Sequence, residues 1–218
     1  MAFGIKVKLW GDYALFTRPE MKVERVSYDV ITPSAARGII EAIYWKPAIK
    51  WIIDKIYVCS PIDFTNIRRN ELKSKLLASN AKSAMNGLQE PLFIDTSEDI
   101  QQRASLLLKN VQYVIEAHFE MTDAAGESDT AEKHYNIALR RLRKGQCYHC
   151  PSFGCREFPA KFELYEEEAV ITAYNGEKDL GYMLFDMNYS DLDDIRPMFF
   201  RAVMRDGVID LTESEVVQ

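Results

Sequence analysis

Apolar and polar residues alternate from the start of the chain. Phe3, Ile5, Val7 and Leu9 stand against Lys6, Lys8 and Trp10, which predicts a half-buried strand broken at Gly11-Asp12. The period then changes. Ala36, Ile39, Ile40 and Ile43 recur at helical spacing, with Thr32 as N-cap, Pro33 at the first position and Pro47 beyond the end. Tyr44 falls in the last turn of this helix, beside the buried stripe. Residues 51–58 are rich in β-branched and aromatic side chains and read as a second strand, whereas 68–99 is polar and mixed and reads as an insertion with a short helix. The clearest strand is 111–121: Val111, Tyr113, Ile115, Ala117, Phe119 and Met121 share one face, and Gln112, Val114, Glu116, His118 and Glu120 the other. A sheet covered by helices on one side and open on the other fits this pattern. An acidic turn over 122–130 leads into a second helix, where Asp129 and Glu132 have capping-box spacing and Gly145 supplies the stop. Tyr135, Ala138, Leu139 and Leu142 form its buried stripe; Lys133, Arg140, Arg141 and Lys144 lie opposite, with His134 at the N-terminal edge.

With a further strand over 160–165, the order is strand, helix, strand, strand, helix, strand. That is the split βαβ order of a ferredoxin-like domain. Beyond it, 169–173, 181–187 and 207–211 read as short strands, with turns at Asn175-Gly176 and Asp206-Gly207. The expected class is therefore α+β: a ferredoxin-like (RRM-like) domain over 1–165, carrying an insertion around 66–100, then a small antiparallel β-sheet domain over 166–218. No apolar run reaches the length of a membrane span, and residues 1–10 lack the continuous apolar centre of a signal peptide, so the chain reads as cytoplasmic. In that compartment its four cysteines are thiols or metal ligands rather than a disulfide framework.

The net charge of −6 argues at first against a nucleic-acid partner, but the charge is unevenly spread. Residues 163–218 hold 14 acids and 4 bases, leaving a balance of +4 for the rest. Between residues 133 and 162, Lys133, Arg140, Arg141, Arg143, Lys144, Arg156 and Lys161 face a single acid, Glu157. Tyr135, Tyr148, Phe153, Phe158 and Phe162 are interleaved with them. Cations for phosphates and rings for bases are what an RNA surface needs; a solvated helix face followed by core aromatics would have the same composition.

Three histidines are available for chemistry. His134 follows Lys133 in the first turn of the basic helix, where free backbone N–H groups favour an anion such as phosphate. RNA carries its own nucleophile, the 2′-hydroxyl, so a protein need add only a base, an acid and a cation for the charged transition state. His, Tyr and Lys fill those roles without a metal or other cofactor; the alternative is a surface Lys-His pair. Glu116, His118 and Glu120 on one strand face would suit a divalent ion, and with it a metal-dependent DNA nuclease, or be a solvated face. Cys147, Cys150, Cys155 and His149 contain half of a zinc site, without the second pair such sites use.

Five blocks then occur in order: Gly11-Asp12-Tyr13-Ala14-Leu15-Phe16-Thr17, Glu41-Ala42-Ile43-Tyr44-Trp45-Lys46-Pro47, Glu116-Ala117-His118-Phe119-Glu120, Lys133-His134-Tyr135 and Gly154-Cys155-Arg156-Glu157-Phe158. Together they resemble the CRISPR-associated Cas-five family of the Dvulg subtype, that of the type I-C Cascade. The resemblance covers nearly the whole chain. It implies a ferredoxin-like RAMP domain followed by a small β-sheet domain. It also implies cleavage of CRISPR precursor RNA within each repeat, leaving a 5′-hydroxyl and a 2′,3′-cyclic phosphate. Tyr44, Lys133 and His134 would be the catalytic triad. Arg140, Arg141, Arg143, Lys144, Arg156 and Lys161 are the expected RNA contacts. The expected partners are the repeat RNA, the mature crRNA held by its 5′ handle, and other Cascade subunits, with no membrane. The acidic C-terminal segment fits subunit contacts or a solvated face. A subunit that binds the guide without cutting remains the alternative.

Overall fold

In the computed structural model of the protein, which describes residues 3–21, 23–87 and 92–218, the opening alternation forms strand β1 (Gly4–Ala14). Residues 88–91 of the expected insertion, and residues 1 and 2 of the opening alternation, lie outside the described residues. Ile5, Val7 and Leu9 point into the core while Lys6, Lys8 and Trp10 stay half-exposed. A short strand, β2 (Arg25–Val26), precedes helix α1 (Pro33–Ile43). The Thr32 hydroxyl accepts from the Ala35 N–H at 3.2 Å, and Pro33 sits where its missing N–H costs nothing. Ala36, Ile39, Ile40 and Ile43 are buried, as their spacing predicts.

Strands β3 (Ile49–Val58) and β4 (Phe64–Leu72), helix α2 (Ala78–Met85) and strand β5 (Ile100–Met121) follow, then helix α3 (Ala131–Arg143) and strand β6 (Lys161–Leu164). The chain ends with β7 (Glu177–Asn188), β8 (Arg196–Arg205), β9 (Val208–Asp210) and β10 (Val216–Val217). The whole is a mixed α/β structure dominated by one large, mainly antiparallel sheet. Its central order is β3-β5-β1-β6, and β9 continues it from β3 to β8 and β10. The 22-residue β5 does two jobs: its first half pairs with β4, its second with β1 and β3. Asn110, with φ of 51°, marks the change of partner in a conformation that Asn tolerates better than most residues.

One face of the second half of β5 is buried: Val111, Tyr113, Ile115, Ala117 and Phe119 join Trp51 of β3, Ile39, Ile40 and Ile43 of α1, and Ala138 and Leu142 of α3 in the core. On the other face Gln112, Glu116 and His118 are half-buried and Glu120 is exposed. The C-terminal strands join the same sheet and core, β9 pairing Lys55, Ile56 and Tyr57 with Asp210, Ile209 and Val208. Two expectations fail here. Residues 169–173 form no strand but a connecting segment tied to β3 by the Ala173 N–H on Val58 O; β8, not anticipated, supplies the central strand of the C-terminal part. The Asp206-Gly207 turn has both residues at positive φ, 48° and 77°, as a tight hairpin between β8 and β9 requires. No helix among the described residues is long and apolar enough to cross a membrane.

Candidate active site

Helix α3 begins one residue later than the capping-box spacing predicts. Thr130 is the N-cap, its hydroxyl accepting from the Lys133 N–H at 3.2 Å. Asp129 is thereby released from capping. Its carboxylate accepts from the Gly126 N–H at 3.1 Å and from the Lys133 ammonium at 3.2 Å. The buried side of α3 runs through His134, Ala138 and Leu142. His134, expected at the edge of the polar side, is turned inward and only 2% exposed, its ring edge-on to Phe119. Lys133 stays at the surface, with its ammonium donating also to Ser128 O at 3.1 Å.

Tyr44 comes from the other helix. It closes α1 through its N–H on Ile40 O at 2.9 Å, then leaves the helix in an extended conformation that carries its ring inward. Trp51 of β3 holds its backbone by donating Nε1–H to Tyr44 O at 2.8 Å. The phenol oxygen of Tyr44 meets Nδ1 of His134 at 2.7 Å. Nε2 of His134 lies 3.3 Å from Oδ1 of Asp129, within range of a charge contact, but its geometry leaves this buried nitrogen without a hydrogen bond. Asp129 therefore touches both Lys133 and His134. Burial pushes the Tyr44 phenol pKa up, against the pull of the Arg141 guanidinium, which lies 5.2 Å from the ring centroid. Arg141 is fixed there by donating to Ile43 O at 2.6 Å. Tyr44, Lys133 and His134 are thus brought to one place.

The predicted RNA contacts divide. Arg140, Lys144, Arg156 and Lys161 are exposed; Arg141 supports Tyr44; Arg143 is held by Glu166, at 2.7 Å from Nη2. The interleaved rings are mostly structural. Phe153 and Phe158 are buried at 0% and 7% exposure, Phe153 against Phe16 and Tyr113, so neither is free to stack on a base. Tyr148 alone of the five is well exposed. The Gly154-to-Phe158 block has a packing role. Gly154 has φ of +84°, and a Cβ there would stand 2.0 Å from Leu15 O; one residue earlier, Phe153 O accepts from the Leu15 N–H. Sequence reasoning treated Asp129 as a cap and gave Trp45, exposed beside Tyr44, no role; the exposed indole in a helix-ending turn was the available signal.

Neighbours claim the groups that suggested a metal. A bulge in β3 between Ile53 and Lys55 aims Asp54 at His118, whose Nδ1 is 2.9 Å from both carboxylate oxygens. Glu116 accepts from the Tyr57 hydroxyl at 2.9 Å, and burial followed by that carboxylate pushes the Tyr57 phenol up to about 12. Cys155 faces Arg25, with 4.0 Å between sulfur and guanidinium nitrogen, while Cys147 is half-buried and Cys150 exposed. Among the described residues, no three His, Cys, Asp or Glu side chains are grouped as metal ligands would be.

Comparison with known proteins agrees with the five blocks. Residues 4–212 match the Cas5d family, described as "CRISPR-associated protein (Cas_Cas5)". A protein of Mannheimia succiniciproducens named CRISPR pre-crRNA endoribonuclease Cas5d is 50% identical over 217 residues, 97% of this chain and 96% of its own. Its namesake in Thermus thermophilus is 38% identical over 225 residues, 95% and 90% of the two chains. A solved structure described as "Crystal Structure of CRISPR-associated Protein" superposes with a TM-score of 0.69 at 26% identity, covering 99% of this chain and 96% of its own. The chain belongs to the Cas5d family of CRISPR-associated proteins.

Proposed function

We propose that the protein cuts CRISPR precursor RNA within its repeats, without a metal, and then holds the 5′ handle of the crRNA as a subunit of a type I-C Cascade in the cytoplasm. The Tyr44–His134 contact at 2.7 Å, with Lys133 joined to it through Asp129, carries this reading. Two relatives named pre-crRNA endoribonucleases, at 50% and 38% identity, support it.

In the reaction the 2′-oxygen of one ribose bonds to the adjacent phosphorus and the bond from phosphorus to the 5′-oxygen breaks, giving a 2′,3′-cyclic phosphate and a 5′-hydroxyl. The Tyr44–His134 pair takes the proton from the 2′-hydroxyl and returns one to the leaving oxygen; Lys133 stabilises the charge on the phosphorane. An incoming phosphate competes with Asp129 for Lys133, and displacing that carboxylate opens the side of His134 on which Nε2 has no hydrogen bond. Exposed Arg140, Lys144, Arg156 and Lys161 hold the flanking backbone.

We read the β1-α1-β3-β5-α3-β6 order, with its β3-β5-β1-β6 sheet, as a ferredoxin-like domain over 1–165. Residues 166–218 are then a small β unit attached through β9, whose 13 acids against 4 bases suit it to subunit contacts better than to RNA.

A second reading, an RNA-holding subunit that does not cut, is favoured by the burial of both rings, at 3% and 2% exposure. One assay separates them. His134→Ala is expected to abolish cleavage of the matching repeat RNA in EDTA while RNA affinity is retained. Undiminished cutting by that variant removes His134 from the mechanism, and tight binding without product by the wild type establishes the second reading.

A further inference from the structure

Beside Tyr44 a cleft of about 470 Å³ opens between the end of α1 and the segment that follows α3. Glu41, Trp45, Lys46, Arg141, Tyr148 and His149 line it. Backbone contacts fix the two walls to each other: the N–H groups of Tyr148 and His149 both donate to Ala42 O, at 2.9 and 3.3 Å, and Arg141 donates to Ile43 O. The large rings on these walls face water, Trp45 at 51% exposure and Tyr148 at 82%. This contrasts with Phe153 and Phe158, which the core absorbs. Two exposed amphipathic rings carried on a fixed backbone frame offer faces to a planar partner. The polar groups narrow its chemistry. Lys46 and Arg141 suit a phosphate; the Glu41 carboxylate lies 3.4 Å from Arg37 Nε at one oxygen and keeps acceptor capacity that suits an amino group. A nucleotide has both. Arg141, which lines the cleft, lies 5.2 Å from the ring centroid of Tyr44 and so ties the slot to the cutting centre.

We propose that this cleft is a nucleobase subsite: it takes the base of one nucleotide flanking the scissile phosphate, stacked on Trp45 or Tyr148, with an exocyclic amino group donating to Glu41. The subsite rests on the reading of Tyr44 and His134 as the place of cutting, and it makes one position of the repeat a specificity determinant.

The test is an abasic scan. Repeat RNAs carrying a single abasic nucleotide at each position in turn are presented to the wild type, Trp45→Ala, Tyr148→Ala and Trp45→Phe. Cleavage is measured on these RNAs, and affinity on copies with 2′-O-methyl ribose throughout, which keep the A-form helix but have no free 2′-hydroxyl to attack with. At one position loss of the base is expected to weaken the wild type by about tenfold to a hundredfold, the range found for one stacked base. At that same position the loss is expected to add nothing in one of the alanine variants, which is already weaker on intact RNA by a similar factor. Trp45→Phe keeps a ring and is expected to keep the dependence. Both residues are exposed, so unchanged melting temperatures confirm that the variants are folded. Equal abasic penalties in the wild type and both alanine variants at every position overturn the subsite. Since the affinity arm does not require cutting, a His134→Ala protein that still cleaves would remove the cutting centre alone, and uncoupled penalties would remove the subsite alone.

Discussion

The phenol of Tyr44 and the imidazole of His134, 90 residues apart in the chain, meet at 2.7 Å inside the protein. Two local events produce the meeting. Helix α1 stops at Ile43 and turns the next ring inward, and His134 stands four and eight residues before Ala138 and Leu142, on the side of α3 that faces the core. Phe119 of β5 packs edge-on against both His134 and Trp51 of β3, and the Trp51 indole in turn holds Tyr44 O, so one aromatic cluster supports both partners.

Removing the phenol oxygen tests the pair directly. Tyr44→Phe keeps the ring and its contact with Arg141 but leaves Nδ1 of buried His134 without a partner. Single-turnover cleavage in EDTA is expected to slow by about 10²–10⁴, the usual worth of a positioned proton-transfer group, with RNA affinity unchanged. The fold should lose about 1–3 kcal/mol from the unsatisfied nitrogen, measured by denaturant unfolding. Wild-type cleavage rates in this variant would show the phenol to be structural only.

Asp129 gives a pH signature. The Gly126 N–H first, and then the Lys133 ammonium, hold its carboxyl below the usual carboxylate range. A folded-state value below the unfolded one of about 3.9 means that Asp129 stabilises the fold above that pH and ceases to do so as pH falls through the folded value. Between about pH 5 and pH 3 the melting temperature of the wild type should therefore fall more steeply than that of Asp129→Asn. Parallel curves would mean that the carboxylate contributes nothing to stability.

The Phe153–Gly154 turn should behave as core rather than as RNA surface. Phe153→Ala removes a fully buried ring and is expected to cost about 3–5 kcal/mol. Gly154→Ala forces a side chain onto Leu15 O at positive φ and is expected to cost at least about 1–3 kcal/mol. Urea unfolding reads both. Kept well below its melting temperature, the Phe153→Ala protein should bind repeat RNA as the wild type does; a weakened affinity there would return Phe153 to the RNA surface.

The legible parts of this fold are those where a single face is buried. The alternation of β1 and of the second half of β5, and the stripe and cap of α1, could be read residue by residue because core and solvent impose opposite demands on neighbouring positions. The first half of β5 and its partner β4 lie in a hairpin that is mostly exposed, so Arg68, Arg69, Gln101 and Gln102 carry no apolar period to read. In β8 the alternation of Met198, Phe200, Ala202 and Met204 was present, but Pro197 and the acids before it obscured its start. At the site, Lys133 and His134 were identifiable as chemistry. Which way His134 points was not, because it stands at the margin of the apolar stripe, and packing turns the side of His134, Ala138 and Leu142 fully inward while Tyr135 and Leu139 stay half-buried. The aromatic residues misled for a related reason: composition counts rings, and only tertiary packing decides whether Phe153 faces a base or Tyr113.

Three late residues seal a vulnerable margin. Val208, Ile209 and Asp210 hydrogen-bond to the side of β3 that β5 does not cover. While the chain is still emerging from the ribosome, that side of Ile49–Val58 is unpaired and rich in isoleucine, the kind of strand edge on which chains aggregate. A chain cut before Val208 therefore leaves that edge of β3 open, and it is expected to aggregate rather than persist as a shortened nuclease.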